Sequence, residues 1–182
     1  MELTVLTGPA AEPVSVAEMK TYMGYPTTDQ DTEIGYMITV ARQWLENRTG
    51  FSCVSKSYKA YFEKIDAVNG WYELPVVPVL SVPAITITVC GTSTTFEQKG
   101  LRRVMVRPES TWSTIAVGST IEIYYLEATF TAGETNATAN ECIRRIVTSM
   151  FNNREDGVEV KAGRLPFDTI RLIESIDQNT GL

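Results

Sequence analysis

The spacing of apolar residues changes period twice along the chain, and this constrains the fold more than any other feature. From Val14 to Gly50 apolar positions recur at i, i+3, i+4 and i+7; from Val54 to Phe130 they alternate; after Thr138 the helical spacing returns. A segment patterned for one period cannot bury its apolar side in the other, because helical side chains repeat every 3.6 residues and strand side chains every two. The chain therefore has helices at both ends and strands between them. With 182 residues, it is long enough to bury roughly 70% of its unfolded surface without a disulfide or metal.

Local signals place the helix ends. Ser15 and Glu18 have the spacing of a capping box, and Val14 and Met19 that of a hydrophobic staple. Gly24 and Pro26 stop this first helix. Thr28, Asp29 and Asp31 crowd the start of a second helix, where carboxylates meet the positive end of the dipole. Its apolar stripe is Ile34, Met37, Ile38, Ala41, Trp44 and Leu45, with Arg42, Glu46 and Arg48 on the other side and Gly50 at the end. A third helix is expected from Thr138, paired with Glu141 as a second capping box, with Ile143, Ile146, Val147, Met150 and Phe151 on its apolar face. The polar stretch Asp156–Gly163 follows, and then Pro166 in a first-turn position. Phe167, Ile170, Ile173 and Ile176 continue at spacing three, as a short amphipathic helix that either joins the core or orders on a partner.

Between the helices, Tyr58, Ala60 and Phe62 alternate with Lys59, Tyr61 and Glu63. Ile85, Ile87 and Val89 alternate with threonines, and Ile121, Ile123 and Tyr125 with Glu122 and Tyr124. Such alternation indicates half-buried antiparallel strands. Pro75, Pro78 and Pro83 make Leu74–Pro83 an edge, a crossing or a bulged segment, since proline cannot donate to a ladder. The expected fold class is α+β: two N-terminal helices, one later long helix and a short C-terminal helix, with an antiparallel β-sheet inserted in the middle. We expect a single domain over 1–182, with an N-terminal arm at 1–13, a β-rich region at 54–130 and a mobile C-terminal segment at 156–182.

Little in the sequence supports catalysis. It contains no histidine, which removes the commonest general base and metal ligand. Neither a GxGxxG nor a GxxxxGK[ST] loop occurs. Glu122 with Glu127, or Asp29 with Asp31, are the carboxylate pairs available for acid–base chemistry, but each fits a solvated strand face or a helix start. We assign no catalytic, cofactor-binding or metal-binding residues, and no cofactor. Cys53, Cys90 and Cys142 lack metal spacing and suit free thiols. No signal peptide is expected from Met1–Thr4, and no apolar run approaches a membrane span. The net charge of −6 opposes duplex binding. Arg102–Arg103 and Arg144–Arg145 are small basic clusters that suit solvated faces. The aromatics Tyr22, Tyr25, Tyr58, Tyr61, Phe62, Tyr124, Tyr125 and Phe130 fit core or cross-strand pairs better than a stacking platform, which needs a basic groove.

The order of these parts carries a resemblance. Glu12-Pro13-Val14-Ser15-Val16-Ala17-Glu18 opens the series, followed by a helix closing Ala41-Arg42-Gln43-Trp44-Leu45-Glu46-Asn47-Arg48-Thr49-Gly50. Then come Leu74-Pro75-Val76-Val77-Pro78-Val79-Leu80-Ser81-Val82, Phe130-Thr131-Ala132-Gly133, Phe151-Asn152-Asn153-Arg154-Glu155 and Leu165-Pro166-Phe167. In this order the chain resembles the head–tail connector (adaptor, head-completion) proteins of long-tailed phages, over Glu12 to Ile176. One departure is Glu134–Ala139, which lacks the proline that often opens the next helix in that family. The resemblance implies a virion protein made in the host cytoplasm and built into the head–tail junction, as a ring of about twelve copies below the portal. It implies portal and tail or head-completion proteins as partners, and duplex DNA passing through the lumen without specific binding. Portal docking is implied for the C-terminal segment, with Leu165, Phe167, Ile170 and Ile173 as anchors, and deleting residues 164–182 is expected to leave the fold intact. The alternatives are a tail-completion protein of the same particle, a small carboxylate-dependent enzyme, or a binding module for a peptide or small ligand.

Overall fold

A computed structural model describes residues 1–63, 70–79, 85–100, 104–109, 115–117, 121–123, 125–153 and 167–180. The fold is α+β, and the chain divides into two compact units. A β unit comprises Met1–Pro9 and Ser55–Gly133; a helical unit comprises Ala10–Val54 and Glu134–Leu182. Each has its own core.

The helical unit contains α1 (Val16–Met23), α2 (Asp31–Thr49), α3 (Ala137–Asn152) and α4 (Phe167–Thr180). The capping box forms as read: Ser15 Oγ accepts from Glu18 N, and Glu18 Oε2 accepts from Ser15 N at 2.8 Å. Val14 and Met19, the staple pair, are both fully buried. Gly24 and Gly50 close α1 and α2 in the left-handed conformation, φ 67° and 65°, which costs glycine little. The α2 stripe packs with Ala139, Cys142, Ile143, Ile146 and Val147 of α3, while Trp44 is only partly buried. Ile173 and Ile176 of α4 complete this core.

Two expectations for the helices change. Helix α3 is capped by Asn136, not Thr138: Asn136 Oδ1 accepts from the backbone N–H of Thr138 (2.8 Å) and Ala139 (3.3 Å). Asparagine caps as well as threonine, and the one that fits the local turn wins. Glu141, free of a capping role, instead pairs with Arg145 at 2.8 Å. Arg42, placed by periodicity on the polar side of α2, is buried at 4% exposure.

In the β unit, β1 (Glu2–Thr7), β2 (Lys56–Glu63), β10 (Tyr125–Ala132), β4 (Thr86–Val89) and β5 (Thr92–Thr94) form an antiparallel sheet in the order β1-β2-β10-β4-β5. A three-stranded sheet runs β3-β7-β6, from Tyr72–Glu73, Met105–Pro108 and Phe96–Lys99. A hairpin pairs β8 (Ile115–Val117) with β9 (Ile121–Ile123). Alternation in β2 holds along its length: Tyr58, Ala60 and Phe62 are buried. Ile85, Ile87 and Val89 are buried too, as are Leu126, Ala128, Phe130 and Ala132 of β10. Tyr58 stacks on Phe130 with centroids 5.6 Å apart, and Phe62 lies 5.5 Å from Tyr72. These three read aromatics, Tyr58, Phe62 and Phe130, are core.

Residues 2–7, read within an arm, pair with β2 as a strand, with Leu3 opposite Ala60 and Val5 opposite Tyr58. In the proline segment, Val77-Pro78 is cis, the carbonyl of Pro78 accepts from Gly133 N at 2.9 Å, and Val79 bridges to Ala132. The segment is thus tied to the end of β10 by single bonds rather than a ladder. Residues 80–84, with Pro83, lie outside the described residues.

Candidate functional site

Of the carboxylates read as possible catalysts, the three with described side chains are engaged in structural roles. Asp29 accepts hydrogen bonds from the Thr27 and Tyr25 hydroxyls, and these, Thr27 foremost, hold its carboxyl below the ordinary value. Asp31 pairs with Lys20 at 2.7 Å. Glu127 pairs with Lys59 at 2.9 Å and accepts from Thr88 at 3.3 Å, while the side chain of Glu122 lies outside the described residues. No cluster of three acidic or cysteine residues suited to a metal occurs among the described residues. None of the three cysteines forms a disulfide and all are buried; burial pushes the Cys142 thiol up to about 11, so it stays protonated at neutral pH. No helix among the described residues is long and apolar enough to cross a membrane.

The ionic groups build the helical unit rather than a reaction centre. Arg42 on α2 donates from Nε to Glu12 at 2.6 Å and from Nη1 to Glu46 at 2.7 Å. Burial pulls its pKa down, but the two carboxylates outweigh burial and leave the guanidinium above its usual value. Glu46 also accepts from Cys53 N at 3.0 Å, tying the end of α2 to the following segment. Arg144 and Arg145 share Glu141, which also accepts from the Tyr22 hydroxyl at 3.2 Å. One carboxylate thus partly offsets that basic cluster. Arg102 and Arg103 lie outside the described residues.

The proposed docking residues separate. Leu165 lies outside the described residues, and Phe167 opens α4 with a side chain that is not described. Ile170 is partly buried against the helical core, and Ile173 is 6% exposed within it. The amphipathic pattern of α4 therefore serves the core of its own unit. Deleting residues 164–182 would remove Ile173 and Ile176 from that core, so the deletion is expected to lower the stability of the helical unit.

Among the described residues, two surfaces stand out as candidates for contacts outside the chain. Strand β1 is exposed along its length and lies at a sheet edge, with Leu3, Val5 and Leu6 at 40%, 51% and 52% exposure. Its register puts Leu3 and Val5 on the face that Ala60 and Tyr58 bury, so the apolar face of the sheet runs on uncovered at this edge. An exposed apolar edge strand is a template for pairing with another chain. The second surface is the β6–β7 hairpin, where Trp71 lies 4.2 Å from Lys99 Nζ and 4.8 Å from Arg107 Cζ. The sequence carried no sign that Trp71 meets these cations, because the contact joins residues far apart in the chain.

No family model matches the sequence, and no curated protein matches it. Solved structures do. A chain of the "Neck of empty GTA particle computed with C6 symmetry" superposes with a TM-score of 0.70 at 20% identity, covering 97% of this chain and 95% of that one. The chain has the fold of a virion neck component. In the "Virion of native gene transfer agent (GTA) particle" the TM-score is 0.68 at 18% identity, covering 96% and 94%. In the "Neck of native GTA particle computed with C12 symmetry" it is 0.67 at 19%, covering 97% and 94%. At these identities the likeness is one of fold, and it spans both units.

Proposed function

We propose that this chain is a structural virion protein of the head–tail junction. It forms a ring of about twelve copies below the portal, joins the DNA-filled head to the tail and extends the DNA channel. The observation that carries this reading is the match of fold along 97% of the chain to a component of a phage-like neck. The uncovered apolar edge at Leu3 and Val5 supports it, since such an edge suits a protein made to be covered in an assembly. The ionic residues read as catalytic candidates and described here are paired within the fold, which agrees with a non-enzymatic role. Duplex DNA passes through the lumen without specific binding.

Light scattering across a concentration series, with negative-stain images, tests the ring, first on the chain alone and then with a portal. Closed rings in either setting support the reading, and a monomer that ignores the portal overturns it. The C-terminal segment is the proposed portal contact, through Leu165, Phe167, Ile170 and Ile173. Ile173 can reach a portal only if α4 leaves the helical core, whereas Ile170 is only partly buried. Ile170→Ser is expected to weaken portal binding with the fold retained; unchanged binding removes this contact. Ile173→Ala instead costs about 2 kcal/mol of stability or more, read by urea unfolding.

A further inference from the structure

The net charge of the chain is unevenly shared. The β unit holds seven Lys and Arg against eight Asp and Glu; the helical unit holds nine against fourteen. Within the nearly neutral β unit, basic charge gathers in one stretch of the sequence, which includes the ladder residues Lys99 and Arg107. Lys99, Arg102, Arg103 and Arg107 fall within nine consecutive residues, and no acidic residue occurs between Glu97 and Glu109.

The structure gives the β6–β7 hairpin a defined face. Lys99 ends β6 and Arg107 lies on β7, with Lys99 paired to Met105 and Arg107 to Glu97 in the ladder. Both cations approach the half-buried indole of Trp71, which follows Gly70. Gly70 has φ 79°, a conformation that a side chain would strain, and Arg107 Cδ passes 3.9 Å from where its Cβ would stand. Arg107 is also paired with Glu97, but both ends of that pair are about half exposed, so water screens it. Lys99 has no carboxylate partner among the described residues. The indole thus holds two long cationic side chains in place while their charged ends remain open to solvent. Restraining such chains in advance lowers the entropy cost of a contact made through them.

We propose that the Trp71–Lys99–Arg107 face is the surface by which one copy docks onto the acidic helical unit of a neighbouring copy. This rests on the ring reading above. A closed ring of identical chains needs two different, mutually complementary surfaces on each copy. The charge split between the two units supplies that pair: a basic face on one and a net acidic surface on the other. Exposed acidic residues of the helical unit include Glu18, Asp29 and Glu33, and Tyr36 is exposed on the same unit. Tryptophan and arginine are the residues that most often anchor protein interfaces. A nucleic-acid partner would use the same cations but leaves the acidic half of the molecule without a role.

The test is ring formation, alone or on a portal, by the wild-type chain, K99E/R107E and the milder K99Q/R107Q, with thermal melts to confirm the fold. Self-association is expected to fall with added salt, and to weaken about a hundredfold in the charge reversal, as like charges replace complementary ones. Zero-length coupling of amines to carboxylates in the wild-type ring should join Lys99 to a carboxylate of the helical unit in a neighbouring copy. Rings that persist in folded K99E/R107E overturn this surface and leave the ring reading standing. Coupling of Lys99 only within the β unit overturns the partner. Rings that persist while DNA retention is lost assign the face to nucleic acid instead. A wild-type chain that forms no ring in either setting removes the ring reading itself.

Discussion

The two units solve the burial problem with different chemistry. The β unit packs aromatic and β-branched side chains across strands, with Tyr58 on Phe130 and Phe62 beside Tyr72; its Lys59–Glu127 and Arg107–Glu97 pairs are partly exposed, and its buried Lys56 lies over the Tyr58 ring. The helical unit instead buries a bridged ion pair: Arg42 is held by both Glu12 and Glu46. The comparison teaches that the helical unit depends on specific partners and on pH, whereas the β unit depends on volume and register. A buried ion pair stabilises little relative to an apolar replacement, yet losing one partner is costly. A stacked aromatic pair loses contact area and leaves a cavity.

The largest effect should come from the β core. Phe130→Ala is expected to cost about 3–5 kcal/mol and to strip hydrogen-exchange protection from β2, β4 and β10. If α2 and α3 keep their protection, the units are energetically separate; if both lose it equally, the division is only geometric. Next is Arg42→Met, which strands two carboxylates and should cost about 3 kcal/mol, measured as a lower urea midpoint at unchanged slope. A cost near zero would mean that this pair merely fills space, and the contrast between the units would fade.

Asn136→Ala should remove about 1 kcal/mol by leaving the first N–H groups of α3 without an acceptor, while Thr138→Ala should do far less. The reverse ranking would return the cap to Thr138. The smallest effect is on pH. The Glu18 carboxylate accepts from the backbone N–H of Ser15 and then from its hydroxyl, which together hold its pKa below the ordinary value. A depressed folded pKa gives stability that is present above the unfolded value and lost as pH falls through the folded one. Acid titration of the helical unit should therefore show a loss below the ordinary carboxylate range that Glu18→Gln flattens. An unchanged acid limb in that variant would show that the capping box adds nothing measurable at this exposed site.

Much of this was legible in the residues because the causes are local. A capping box spans three residues, a left-handed glycine closes its own helix, and an alternating strand declares its buried face whatever it pairs with. Ser15, Gly24, Gly50, Tyr58 and Ile87 were readable for that reason. The placement of Arg42 was not, since periodicity records which side of α2 it occupies but not that Glu12 waits there thirty residues earlier. The candidate surfaces were less legible still. Arg102 and Arg103 were read only as a small cluster on a solvated face, and nothing marked Trp71.

By itself, then, the sequence determined the kind and order of the elements, the α+β class and most of the buried positions, because propensity, capping and periodicity act over a few residues. Tertiary structure alone decided that residues 2–7 add an edge to a sheet begun at Lys56, and that α4 seats Ile173 in a core begun by Val14. It also decided that Lys99 and Arg107 share one indole. These contacts join segments distant in the chain, and each forms only where the whole set of burial and hydrogen-bonding demands is met together, which no local pattern encodes.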